Sequence, residues 1–156
     1  MTEPSRIATH DAPVWRERSD FLIFADLSSN GLEGRWEQLW VQQVAQDRFT
    51  ICCIPFFTYG IALGDTVQTS AASGRKYVVS EVVSRSGRRV LRLWLKGATR
   101  DGRERVLARL EARTALCEWS SVDLVAIDVK ERESDKELED FLEQMQEAGV
   151  VWEWGD

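Results

Sequence analysis

Few side chains among these 156 residues are of types that carry chemistry, and their spacing decides between a reaction centre and a scaffold. The one histidine, His10, lies in a stretch of Thr, Glu, Pro, Ser and Asp that reads as a flexible leader over residues 1–13. Placed there, an imidazole has no fixed neighbours for acid–base or triad chemistry. Cys52, Cys53 and Cys117 form an odd set with two adjacent members. Neighbours on a strand point to opposite faces, which suits buried free thiols better than a disulfide or a shared metal. No Cys/His spacing fits zinc, and no glycine-rich loop fits a phosphate or dinucleotide cradle. No catalytic residue, metal or cofactor is therefore expected. Asp65 follows Gly64, where a carboxylate either faces a cleft or, more commonly, caps a turn.

The remaining titratable residues are surface charge of two signs. Arg85, Arg88, Arg89, Arg92, Lys96, Arg100, Arg103 and Arg105 crowd the middle of the chain, whereas Glu131, Glu133, Asp135, Glu137, Glu139 and Asp140 open its acidic last part. Acids at a helix start suit the helix dipole and need no metal to explain them. The formal charge of −6 and pI near 5.0 make nucleic acid an unfavoured partner, because that affinity rests on clustered Lys and Arg. No signal-peptide pattern opens the chain and no apolar run is long enough for a membrane span, so a cytoplasmic protein without membrane contact is expected.

These groups must be carried by a single domain or by two small subdomains sharing a core. Apolar residues make up 44% and charged residues 29%, a globular composition that includes seven tryptophans. In the first half Phe21–Ala25, Trp36–Val44, Phe49–Ile54, Asp65–Thr69 and Lys76–Ser84 read as strands separated by turn residues, with no helix. The expected fold class is α+β, beginning with an N-terminal curled β-sheet or partial barrel of about five strands over residues 14–86. Between the second and third turns lies a sharp apolar corner, Cys53 to Asp65, in which Pro55 stops a strand and Gly60 and Gly64 permit bends.

The second half changes period. Leu91, Leu93 and Leu95 share one face of a strand; Asp101 and Glu104 resemble a capping box opening a helix to about Thr114, with Val106, Leu107 and Leu110 inward. Short strands at Cys117–Ser120 and Leu124–Val129 follow. Ser134 and Glu137 cap a second helix whose Leu138, Phe141, Leu142 and Met145 form one stripe, ended by Gly149 and followed by a strand at Val150–Trp154. The order strand, helix, strand, strand, helix, strand is that of a ferredoxin-like βαββαβ unit over residues 87–156.

On the sheet face away from the helices this reading places Arg92, Trp94, Leu124, Ala126 and Asp128, and it brings Trp152 and Trp154 beside Trp94 by turning Val151 toward the helices. The expected role of that aromatic face is to pack on the N-terminal strands. An RNA-stacking platform is the third reading, weakened by the absence of an aromatic residue in Leu124–Val129. Trp40, the Ile54-Pro55-Phe56-Phe57 corner, Tyr59-Gly60, Leu63-Gly64-Asp65, Arg85-Ser86-Gly87 and Leu91-Arg92 together resemble a bacterial domain of unknown function, family 4265, over about Trp15 to Trp154. The resemblance implies boundaries but no activity. The leading functional expectation is a non-enzymatic, immunity-like or regulatory domain that binds another protein of basic character, with Glu137, Glu139 and Asp140 as the acidic partner patch. The alternative is a small-molecule sensor or enzyme with a pocket between the subdomains. Phe56, Tyr59, Asp65, Trp94, Trp152 and Trp154 are the candidate ligand or interface residues.

Overall fold

Alternation along Trp36–Val41 buries Glu37, Leu39 and Val41 on one face and leaves Trp36, Gln38 and Trp40 half-buried on the other. That pattern makes β3 (Trp36–Ala45) the strand around which the first sheet curls. In the computed structural model, which describes residues 6–113, 115–130 and 135–156, β3 pairs antiparallel with β2 (Phe21–Asp26) and with β4 (Arg48–Ile51). The hairpin partner β4 pairs with β5 (Thr66–Ala72), and β5 with β6 (Arg75–Ser84). A single parallel pair, Phe24 with Val78, returns β6 to β2 and closes five strands into a barrel. Its interior is Ile23, Leu39, Val41, Phe49, Ile51 and Val67.

Two expectations for this half need correction. Residues Ile7–Ala8 form β1, which lies parallel to β3 at Trp36 and Glu37, so the stretch expected to be a loose leader is ordered at least from Arg6. The strand expected to reach Ile54 stops at Ile51, where Cys52 to Ile54 leave the ladder and enter the corner. Both adjacent cysteines are buried free thiols, and Cys117 is half-buried.

The second sheet consists of β7 (Arg89–Trp94), β8 (Cys117–Trp119), β9 (Leu124–Val129) and β10 (Val151–Trp154) in the antiparallel order β10-β7-β9-β8. The helices α1 (Arg100–Arg113) and α2 (Asp135–Glu147) cover one face. Leu91, Leu93, Leu95, Val125, Ile127 and Val129 meet Val106, Leu110, Phe141, Leu142 and Met145 there, as the strand and helix periods dictate. Leu107 instead stands 43% exposed. The cap of α1 is Thr99, whose hydroxyl accepts the Gly102 N–H at 3.0 Å, while Asp101 serves the first turn as an acid near the dipole. The proposed caps and charges at Ser134, Glu131 and Glu133, and the helix end at Thr114, lie outside the described residues. Helix α2 ends as expected: Gly149 has φ +84°, its N–H reaches Gln146 O, and the Val150 N–H reaches Met145 O.

That turn overturns the expected orientation of β10. Val150 is drawn into the helix-side core, so in the register that follows Val151 pairs with Trp94 and Trp152 with Leu93. Paired residues share a face. Trp152 and Trp154 therefore pack against the helix-side core, and Val151 and Glu153 lie with Trp94 and Arg92 on the opposite face.

Part of the opposite face is covered by the corner. Ile54, Phe56, Ala62 and Leu63 pack on Val90, Leu124 and Ala126, with Val14, Trp15 and Phe57 around them. This third cluster joins the barrel to the second sheet.

Candidate functional site

The corner is held by charge as well as by apolar packing. Glu37 sits on the core face of β3, fully buried, and its carboxylate collects the N–H groups of Phe56 (2.7 Å), Phe57 (3.0 Å) and Thr58 (2.9 Å) and the Thr58 hydroxyl (2.7 Å). From β8 the carboxylate of Glu118 accepts the N–H of Ile54 at 2.6 Å and of Val14 at 3.4 Å. Between them lies His10, which donates from Nε2 to Glu37 and from Nδ1 to Glu118, each at 2.8 Å. Its ring stacks on Phe56 with centroids 4.1 Å apart and planes 9° from parallel. Donation from both nitrogens requires the imidazolium.

Electrostatics favour that state. Burial alone lowers the pKa of His10, but the neighbouring Cys53 and the hydrogen bonds to Glu118 and Glu37 outweigh it and hold the imidazolium pKa above its ordinary value. Burial would raise Glu37; the charge and hydrogen bond of His10, with the Phe56 N–H and the Thr58 hydroxyl, hold its carboxyl below the ordinary value. Burial pushes the Cys53 thiol up, so sulfur beside this cation remains protonated rather than becoming a thiolate nucleophile. The expectation that His10 lacks neighbours is thus overturned. Its role is a sealed ionic clamp, since a fully buried ring has no room for a substrate.

A second cation holds the other side of the corner. Arg92, buried on β7, donates to the carbonyls of Thr58 and Pro55, the latter at 3.3 Å from Nη2, and lies under the Tyr59 ring at 4.8 Å. Its Nη1 stands 3.6 Å from Glu153 of β10. The Tyr59 hydroxyl donates to Glu153 at 2.8 Å, and partial burial together with that carboxylate raises its phenol pKa.

The candidate residues now fall into separate places. Phe56 is buried and fills the junction between the halves, so it walls no cavity. Asp65 is buried as a turn brace: its carboxylate accepts the Ala62 N–H at 2.9 Å and the Ser86 N–H at 2.8 Å. Tyr59 and Trp94 are about equally exposed, at 41% and 40%. Trp154, half-buried, carries Arg89 over its ring at 3.6 Å, and Trp152 is likewise half-buried on the helix side. Glu137, Glu139 and Asp140 are exposed on α2. On the sheet face that an RNA platform would use, Val90, Leu124 and Ala126 lie under the corner, while Trp94 and Val151 stand 40% and 66% exposed. Among the described residues no cluster of three metal-ligating side chains occurs, and no helix is long and apolar enough to cross a membrane.

Sequence reasoning missed Glu37, Glu118 and the importance of Arg92. A signal for Glu37 existed, because strict alternation puts it on the same face as Leu39 and Val41, and a carboxylate there demands donors. The contact of His10 with Glu118 spans 108 positions and leaves no local trace.

Comparison with known proteins places this geometry in a family. The model described as "Domain of unknown function (DUF4265)" matches residues 37–154. Among solved structures, a hypothetical protein from Neisseria gonorrhoeae is similar over 86% of this chain and 92% of its own, with a TM-score of 0.67 and 18% identity, a likeness in fold. No curated protein matches.

Proposed function

We infer that this chain, which belongs to the family of that domain of unknown function, is a non-enzymatic protein-binding domain of the bacterial cytoplasm, immunity-like or regulatory, with a ferredoxin-like second unit and a basic partner. The observation that carries the reading is the division of labour in α2. Phe141, Leu142 and Met145 fill the core, while Glu137, Glu139 and Asp140 are exposed on the solvent side of the helix. Such a surface steers a basic partner and selects against acidic ones.

Two further features support it. The groups that could carry acid–base or nucleophilic chemistry, His10, Glu37, Glu118 and Cys53, are buried and engaged in holding the corner. Trp94 and Val151, paired across β7 and β10, remain 40% and 66% exposed, and an exposed aromatic beside an apolar neighbour is the usual anchor of an interface. The test is affinity capture from the host cell with the wild-type chain and a Glu137→Lys, Glu139→Lys, Asp140→Lys variant. Loss of a basic partner from the variant is expected; identical recovery by both chains would show that α2 is not the contact.

A further inference from the structure

The barrel is closed by one pair, and it is open beyond that pair. Strands β2 and β6 meet as a ladder only at Phe24 and Val78, after which β6 runs through Val79 to Ser84 with β5 as its one ladder partner. The cause lies in the β5–β6 register. Gln68 pairs with Glu81 but Thr69 with Val79, so Ser80 is an extra residue opposite nothing, and its hydroxyl turns back to the Gln68 carbonyl at 3.1 Å. A bulge of this kind sharpens the twist and swings a strand away from its neighbour. Here the bulge falls just past the point where the β2–β6 ladder ends.

The gap is a groove of about 530 Å³ between β6, the end of β2 and the Thr58–Ile61 part of the corner. Ala25, Ile61, Val79 and Val82 give it an apolar side, and the exposed acids Asp26 and Glu81 stand on its lining. The Ser28 hydroxyl and N–H bond Asp26 and hold its carboxyl below the ordinary value, so the charge persists at neutral pH. At about 3.3 Å per residue, the six residues from Val79 to Ser84 offer an edge of roughly 20 Å, the length of an ordinary strand.

We propose that the free edge of β6, from Val79 to Ser84, takes up an extended peptide segment of a protein partner as an added strand, with apolar side chains in the groove and Lys or Arg set against Asp26 and Glu81. The proposal rests on the protein-binding reading above and gives that partner a mode of attachment. Main-chain hydrogen bonds supply affinity in such strand addition, and alternate side chains supply selectivity. A second copy of this chain is a poor occupant, since pairing two β6 edges would bring Glu81 and Asp26 against their own like charges.

The test is selection of displayed twelve-residue random peptides on the full chain, followed by anisotropy and amide exchange with the synthetic winners. Enriched peptides should alternate apolar residues with Lys or Arg and slow exchange at amides within Val79–Ser84. N-methylation of alternate peptide nitrogens should abolish binding, and Glu81→Lys should weaken it at least tenfold at unchanged melting temperature. Winners that instead protect Val151–Trp154 or α2 would overturn this site and leave the protein-binding reading standing. Binding that survives both N-methylation and Glu81→Lys would overturn strand addition, and a selection that enriches nothing would count against both.

Discussion

A buried histidine is usually neutral, because water no longer stabilises its charge. His10 is the reverse case, since two carboxylates face it and both ring nitrogens donate. Replacing it with Gln leaves Glu37 and Glu118 facing one another without a cation, and removing one partner from a buried ionic network costs about 3–5 kcal/mol. Urea unfolding should show a loss of that order. The sign of the pH dependence follows from a folded pKa raised above an ordinary 6.5: the stabilisation is complete below pH 6.5 and is lost as pH rises through the raised folded value. Glu37, lowered on folding, contributes stability above its ordinary 4.5 that is lost on acidification. The gap in stability between wild type and His10→Gln should therefore narrow between pH 7 and pH 10. At this scale the sequence was partly legible. The face of Glu37 follows from alternation, whereas the partner of His10 is set by two folded sheets and could not be read from the residues around it.

Elements were more legible, because caps, turns and periods act within a few residues. The core stripe of α2 and the glycine that ends it follow from spacing and φ alone. What failed was the side of the sheet to which Trp152 and Trp154 belong, since one residue of offset at Val150 reverses a whole strand. Close helix contact gives the prediction here. A Cβ at Gly102 would stand 2.5 Å from the Ala148 carbonyl, so α1 cannot keep its place beside the end of α2 with any larger residue. Although Ala is the better helix former, Gly102→Ala should destabilise by about 1–3 kcal/mol, the usual cost of overpacking. A thermal melt that rises in this variant would show that the helices can separate freely.

At the scale of the whole molecule, the chain has two sheets but its corner belongs to both. Leu63 and Phe56 are buried against β7 and β9, and the same segment hangs from Glu37 in the barrel. Leu63→Ala should cost about 2–5 kcal/mol and shift one shared transition, seen alike by tryptophan fluorescence and by far-UV circular dichroism. Two separated transitions would mean that the halves fold independently. The sharpness of the corner was legible from Pro55, Gly60 and Gly64, and its direction toward the second sheet from its apolar residues. The charges that fix it were not, because Glu37, Glu118 and His10 come from three distant parts of the chain. His10 is thus the residue on which barrel and second sheet are jointly fastened, and the state of its ring reports directly on that claim. Nitrogen-15 NMR of the imidazole between pH 5 and pH 9 should show both nitrogens protonated throughout, with no titration. A ring that loses its proton near pH 6.5 would contradict the ionic clamp and the account of the corner built upon it.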